Sequence, residues 1–441
     1  MPDKRGGKVA KSSKITLVAG ILVLFFSEAG FCAGSGAYRL EMPDAGPMGM
    51  GSAFVAQADR PSAVYYNPAG LIQLKDKDYV SIGVGIIQPF ATHKSNSGVE
   101  TERRTERFVI PHAYAVSDFG LKNFSFGLGF SSYWGLGTEW AGDSFSKYWA
   151  TKSDLETKDV LLAGAYKIND KLSFGASLAY DSALVNKNKK LMQAGGADGD
   201  FQLKGRDNDN WGYRLALLYE LNQRHRIGAM YRSPIKVKYR GTATLDNLNH
   251  SGADYQTIFG GNTSYSTPFT AEGTLPQSIV LGYCYKPNPK WTFEADLEWM
   301  DWASTEQELI IFPNETNPFR VGVLKTGNPA AKDWESVFSF ALGTEYKASD
   351  TLRLRCGYFY HQSPISDDTF ETALTDADSH SVTVGLGKDL NKNMTVDLAY
   401  TAMFYEERDI NNSVGGGFGA NLDGEYSAFS NLYMVTFTYG F

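Results

Sequence analysis

The sequence predicts an all-β fold, a 14-stranded antiparallel transmembrane β-barrel with an N-terminal hatch, or plug, inside its lumen. Three observations predict it. Runs of about ten alternating apolar and polar residues recur from Lys77 onward, the length a tilted strand needs to cross a bilayer. The connections between these runs alternate strictly between short and long. The chain then ends on an aromatic strand, with Tyr433, Val435, Phe437, Tyr439 and Phe441 on one face.

The runs fall at 79–88, 107–117, 123–132, 157–167, 171–184, 210–221, 225–244, 273–286, 290–303, 335–347, 351–362, 379–390, 393–405 and 430–441. In the ninth, Trp291, Phe293, Ala295, Leu297 and Trp299 share one face and Thr292, Glu294, Asp296 and Glu298 the other. In the fifth, Leu172, Phe174, Ala176, Leu178 and Tyr180 oppose Ser173, Gly175, Ser177 and Asp181. A period of two puts these sets on opposite faces of a sheet. A soluble sandwich alternates equally well, so the connections decide. The short ones are 118–122, 168–170, 222–224, 287–289, 348–350 and 391–392. The long ones are 89–106, 133–156, 185–209, 245–272, 304–334, 363–378 and 406–429. Short turns at one end and long loops at the other mark an outer-membrane barrel, and an even strand number returns both termini to the periplasmic side. Lipid tolerates no unpaired strand edge, so the sheet has to close.

Composition agrees. Negative mean hydropathy excludes a helical membrane protein and says little about a barrel that exposes apolar side chains only at alternate positions. The 25 Tyr and 27 Phe suit strands and interfacial girdles. Residues 1–33 read as an export signal: Lys4, Arg5, Lys8, Lys11 and Lys14 precede an apolar run at 15–26, and small residues then offer cleavage near 34–36. Phe31 before Cys32 fits a lipoprotein signal poorly. The formal net charge of −7 grows more negative on cleavage, and an acidic chain with no basic stripe is a poor nucleic-acid binder. Cys284 and Cys356 are too few for a disulfide framework, and no cofactor is implied.

Between signal and barrel, 34–76 reads as the hatch and 77–441 as the barrel. The stretch 46–71 is dense in Gly, Ala, Ser and Pro and lacks a period of two. Its Asn67, Pro68, Ala69 and Gly70 predict a turn, since proline fixes its own φ and excludes the preceding residue from the helical region. That turn either carries the hatch's movement or anchors the hatch to the wall.

A small-residue segment ending in this turn and feeding a long strand series resembles the FadL family of outer-membrane hydrophobic-compound transporters. Further stretches resemble it in order: Thr138 to Trp140 with Asp154, Leu155 and Glu156; 211–221; Tyr231, Arg232 and Ser233; Leu275 and Pro276; Ala341 to Thr344; Ser363 and Pro364; Asp376 to Asp378; and Asn391 to Asn393. The resemblance spans about 36–441. It implies a hatch-closed barrel that takes long-chain fatty acids, or aromatic hydrocarbons on the same scaffold, across the outer membrane. It also implies capture in an outer groove, transfer to a lumen pocket, hatch movement, and sideways release near a kinked third strand. A fatty-acid carboxylate needs a cation, and Lys187 and Lys332 lie near where the family carries basic residues. Tyr133, Trp134 and Trp140 are candidates for the outer groove. Gly127 and Gly129 mark either the third-strand kink or room for the hatch. Implied partners are the apolar ligand, outer-membrane lipid and lipopolysaccharide, and the barrel-assembly machinery that is thought to read the final strand; a monomer is expected.

Three other readings compete. An outer-membrane lipase needs a nucleophile and a His base on the lipid face near the rim; His361, before Gln362 and Ser363, is the nearest candidate, and no GxSxG occurs. A general porin or an adhesin has no use for a dedicated N-terminal segment in its bore. Asp198 with Asp200, and Asp207 with Asp209, lack the full calcium-loop pattern and read as solvated loop charges.

Overall fold

The computed structural model describes residues 36–40, 42–193, 197–249 and 255–441, so the export signal at 1–33 lies outside the described residues. The wall consists of β1 (Tyr79–Lys94), β2 (Phe108–Ser117), β3 (Phe124–Ser131), β4 (Lys152–Lys167), β5 (Leu172–Leu191), β6 (Gly199–Asn222), β7 (His225–Arg232, continued by Ile235–Asp246), β8 (Tyr265–Leu275, continued by Ser278–Asn288), β9 (Trp291–Met300), β10 (Val337–Ser349), β11 (Leu352–His361), β12 (Ser379–Asp389), β13 (Met394–Tyr405) and β14 (Gly424–Gly440). Each strand pairs antiparallel with its sequence neighbours. β1 closes the ring on β14 in unbroken register from Tyr79↔Gly440 to Lys94↔Glu425. All fourteen strands read from the sequence are present in the closed barrel.

The side-chain pattern is that of a barrel in lipid. On β6, Leu215, Leu217, Tyr219 and Leu221 are exposed, while Arg214, Ala216 and Leu218 are buried. On β9, Trp291, Phe293 and Leu297 face out, and Glu294, Asp296 and Glu298 are buried. An apolar outer face with charges turned inward is the reverse of a soluble sandwich, and lipid is the solvent that stabilises it.

Several connections differ from the sequence reading. The stretch 185–209 is mostly strand, since β5 runs for 20 residues and β6 for 24, leaving 192–198 between them. Likewise 245–272 shrinks to 247–264. Crossing the bilayer takes about 9–11 tilted residues, so these strands outrun the lipid on the long-loop side. There water replaces lipid outside the wall, and the backbone ladder continues with polar outward side chains such as Gln202, Lys204 and Arg206, while Phe201 and Leu203 stay buried inside. β7 and β8 break at one level, where the unchanged register on either side sets Pro234 opposite Pro276. Neither proline has an N–H, so the rungs are lost there while the strands keep their alignment.

The segment 36–74 lies within the ring of strands. It forms short helical turns at Ala45–Met48 and Ala63–Tyr66 and a 3-10 turn at Pro68–Gln73. Its partners come from around the circumference. Ala45 N donates to Thr436 Oγ1 of β14 (2.9 Å) and Gly51 N to Thr383 Oγ1 of β12 (2.9 Å), while Ala69 O accepts from Ser173 Oγ of β5 (3.0 Å). Two wall glycines make this approach possible. A Cβ on Gly175 would lie 2.1 Å from Ala69 N, and one on Gly357 2.2 Å from Gly51 N. Real side chains do not pack at such distances against backbone, so only glycine lets the segment touch the wall.

The lipid face is checked by an arginine scan. Leu217→Arg on β6 should cost about 2–4 kcal/mol of folding stability in bilayers, and Lys204→Ala, above the apolar band, about 0. Reversible urea unfolding in phospholipid vesicles reads both, and equal costs at the two positions would refute the assignment of the membrane band.

Candidate functional site

Three features meet inside the ring: the anchors of the N-terminal segment, an interruption in the wall, and an apolar cavity with a charged end.

The anchors are carboxylates from the inward face of β9. Glu294 Oε1 accepts from Ala56 N (2.6 Å) and Gln57 N (3.0 Å), and Asp296 Oδ2 accepts from Phe54 N (2.7 Å) and Val55 N (3.0 Å). Glu298, next on the same face, pairs with Arg39. Four consecutive backbone donors that have no helical or strand partner are thus satisfied by two side chains, and charge-assisted bonds of this kind are the stronger class. A second tie runs from Ser62 and Asp44 through Arg60 to β13 and β11. Ser62 Oγ donates to Asp44 Oδ2 (2.7 Å), Arg60 Nε to the same oxygen (3.0 Å), Arg60 also pairs with Asp397, and Arg355 Nη1 donates to Asp397 Oδ1 (2.6 Å). Sequence reasoning placed Glu294, Asp296 and Glu298 on one face but missed their role. The usable signal was three acids in a row on the face opposite the apolar one.

The predicted turn is fully buried. Asn67 Oδ1 accepts from Ala69 N (3.0 Å), capping the 3-10 turn that Pro68 begins. Its Nδ2 donates to Val55 O (2.7 Å) and to Leu217 O of β6 (3.1 Å). A Cβ on Gly70 would sit 2.2 Å from Ala58 O. The four residues therefore bind two parts of the segment to each other and to the wall near the short-turn end.

The interruption lies at β3. Its ladder runs unbroken through Gly127 and Gly129, with partners on both sides. A Cβ on Gly127 would lie 2.3 Å from Val64 Cγ2 and one on Gly129 2.9 Å from Val64 Cγ1, so these glycines make room for the segment. The break comes later, at 132–134. Beyond it Gly135–Glu139 ladders with β4, and among the described residues no strand is laddered to 108–112 of β2 on that side. The other edge of Gly135–Glu139 meets the segment at its start, where Gly135 N donates to Tyr38 O (2.7 Å) and, just before it, Leu40 N to Tyr133 O (2.8 Å), and meets 103–104 at its end, where Arg104 N donates to Glu139 O (2.9 Å). The kink thus sits beside the residues singled out from the sequence, where a bulge against β4 shifts the register by one.

Tyr133, Trp134 and Trp140, expected on an outer groove, are all buried. Tyr133 stacks under the Arg232 guanidinium at 3.3 Å, and Trp134 packs edge-on to Trp302 at 5.5 Å. Trp140 Nε1 donates to Thr372 O (3.0 Å). Large rings gain most from full burial, and the second long connection folds inward onto the segment to provide it.

The cavity is lined by apolar side chains that include Leu155, Val237, Phe269 and Leu275, with Tyr38 of the segment among them. At one side Lys187 pairs with Glu308, and Lys332 Nζ lies 2.9 Å from Glu371 and 3.9 Å from Glu308. A second space meets the first at these same four side chains and adds Lys189, Trp149 and Phe201. Burial opposes the charge on Lys332, but Glu371 and Glu308 outweigh it and hold its ammonium above the ordinary lysine range. Burial likewise opposes ionisation of Glu371, and Lys332 and Lys187 reverse it. Glu371 is also held by Trp149 Nε1 (2.7 Å) and Ala373 N (2.8 Å). Lys187 and Lys332 are therefore brought together, 145 positions apart in the chain, at the junction of the two spaces.

His361 lies inside the ring, its Nδ1 2.8 Å from Ser339 Oγ, away from the lipid face that the lipase reading requires. Asp198 pairs with Lys147 and Asp200 with Lys190, and among the described residues no group of three or more potential ligands is arranged for a metal ion.

A sequence profile described as outer membrane protein transport protein (OMPP1/FadL/TodX) matches residues 30–441. The long-chain fatty acid transport protein of Escherichia coli K12 is 24% identical over 401 residues, covering 82% of this chain and 87% of that one. Among solved structures, a Pseudomonas aeruginosa FadL homologue superposes with a TM-score of 0.76 at 17% identity, covering 93% of this chain and 99% of that one. The Pseudomonas putida toluene transporter TodX superposes with a TM-score of 0.71 at 20% identity, covering 92% and 100%.

The anchors generate a direct check. Glu294→Gln with Asp296→Asn keeps the shapes but removes both charges, and each bond to a charged group is worth about 1.5–3 kcal/mol. Amide exchange at 54–57 should speed by at least about tenfold while exchange in β1 and β14 stays unchanged. Equal protection at 54–57 in both proteins would remove these carboxylates from the account of how the segment is held.

Proposed function

The chain belongs to the outer membrane protein transport family of OMPP1, FadL and TodX, and from that premise we propose that it imports long-chain fatty acids through a hatch-closed lumen. It is a transmembrane barrel of the Gram-negative outer membrane that transports hydrophobic molecules. Members of the family carry the names of transporters and not of enzymes.

The observation that carries the fatty-acid reading is the set of lysines at the end of the apolar cavity. Lys187 and Lys332 meet there, Lys187 against Glu308 and Lys332 against Glu371, and in the adjoining space Lys189 Nζ donates to Thr326 O (2.6 Å) and makes no ion pair among the described residues. A fatty-acid carboxylate at this junction supplies Lys189 with a charged partner. An acyl chain then lies along the apolar wall, where burial favours it by about 25 cal/mol per Å². An aromatic hydrocarbon uses the same wall and makes no use of the ammonium groups.

Release follows from what else touches this cavity. Tyr38 lines it and, one atom group away, its carbonyl meets the strand edge at Gly135. A ligand that displaces Tyr38 therefore acts on the cover of the wall interruption. The segment 34–76 serves as the hatch in this reading, with Asn67, Pro68, Ala69 and Gly70 as the point that stays tied while 38–40 moves. The edge of β2 at 108–112, to which no strand among the described residues is laddered on that side, marks the sideways exit. A ligand shifts such an equilibrium only through contacts that differ between states, and the Tyr38 contact is one of these.

Calorimetry on purified protein tests the head-group assignment. Lys187→Gln should weaken palmitate binding by about tenfold and leave hexadecanol binding unchanged, since an alcohol carries no charge to recognise. Equal losses for both, or none for palmitate, would overturn it. Binding of toluene with no binding of palmitate would transfer the proposal to aromatic hydrocarbons.

A further inference from the structure

Outside the wall, just above the apolar band, lies a cationic surface for which the fold has no use. On β6 the outward side chains run Leu221, Tyr219, Leu217, Leu215, Tyr213 and Trp211, all exposed and apolar or aromatic. Past a bulge at 207–209 they become Arg206 and Lys204. On the adjoining half of β7 they are Lys236, Lys238 and Arg240, also exposed. The register sets Arg240 directly opposite Arg206, and Thr242 opposite Lys204.

Like charges directly across a strand pair repel. Of the neighbouring acids, Glu272 is paired with Lys238, Asp207 accepts from the Lys238 N–H (2.7 Å), and Asp209 accepts from Trp211 Nε1 (3.0 Å), so the five cations of the patch outnumber the three carboxylates beside them. The next acid in the row, Glu156, stands two strands away, about 10 Å. Among the described residues Lys204, Arg206, Lys236 and Arg240 form no ion pair or side-chain hydrogen bond. The cluster is a local exception in a chain of net charge −7.

Height identifies what answers it. Trp211 and Tyr213, with Tyr180 packed at a tilt against Trp211 at 5.1 Å, form the aromatic girdle at the upper edge of the lipid. Arg206 and Arg240 lie about 10 Å above that girdle, allowing for strand tilt, which is headgroup level. We propose that the outward face of β6 and β7, through Lys204, Arg206, Lys236 and Arg240, is a binding site for the phosphorylated sugar headgroup of an outer-leaflet glycolipid. The lipid's phosphates bridge the facing arginines while its acyl chains lie on Leu215, Leu217 and Tyr213 below. Arginine suits the task because its planar fork meets phosphate oxygens in pairs.

Native mass spectrometry of the full mature chain in detergent tests it with bisphosphorylated lipid A as probe. Wild-type protein should retain lipid A adducts. A variant with Lys204→Gln, Arg206→Gln, Lys236→Gln and Arg240→Gln should lose at least about tenfold in adduct intensity. Lipid A stripped of both phosphates should bind wild type no better than the variant, and millimolar inorganic phosphate should not displace the intact lipid, because the acyl contacts are then missing. Lys122→Gln with Lys171→Gln, at the opposite end of the barrel, should retain wild-type binding, and an unchanged strand signal in circular dichroism confirms that the fourfold variant is folded. Equal retention by wild type and fourfold variant, equal binding of the phosphate-free lipid, or displacement by phosphate alone would each overturn the proposal.

Discussion

Everything in this molecule depends on the seam between β1 and β14. In lipid a backbone N–H or C=O without a partner costs several kcal/mol, so a sheet of this length is stable only if its two edges find each other. They do so in unbroken register from Tyr79↔Gly440 to Lys94↔Glu425. Closure then dictates the rest. It turns one face of every strand to hydrocarbon and the other to an enclosed bore, and the charges that lipid will not accept are collected inside.

Those collected charges give the interior its order. A bore lined with Glu294, Asp296, Asp397 and Arg355 would be a wet channel if left empty. Instead the polar wall is matched, group by group, to a segment with few internal hydrogen bonds of its own. The segment needs acceptors for bare N–H groups at 54–57, and β9 offers carboxylates that need donors. Neither side is satisfied alone. Such mutual dependence fixes one placement of the segment among many that its Gly- and Ala-rich composition would allow.

How much of this was legible in the sequence follows from where the solvent changes. The strands were readable because lipid imposes alternation, as in Trp291 to Trp299. Above the lipid that imposition ends, and 185–191 and 199–209 therefore look like loop although the ladder continues through them. The turn at Asn67 and Pro68 announced itself because proline chemistry is local. The anchoring by Glu294 and Asp296 did not, because it depends on which residues of a distant segment arrive opposite them. Lys187 and Lys332 came from resemblance alone; no local signal brings together residues so far apart. The aromatic residues at 133–140 misled because a ring in a long connection reads the same whether it faces water or packs inward, and only the tertiary fold decides.

The overlong strands β5 and β6 raise the entrance on a chimney. Roughly half of β6 stands clear of the hydrocarbon, and the space that Trp149 and Lys189 line opens within this raised part. A greasy solute held there is therefore walled off from the sugar phosphates that stand at the same height outside. The ionic crust that makes this membrane hard for such solutes to cross is screened by protein, before any gate has to move.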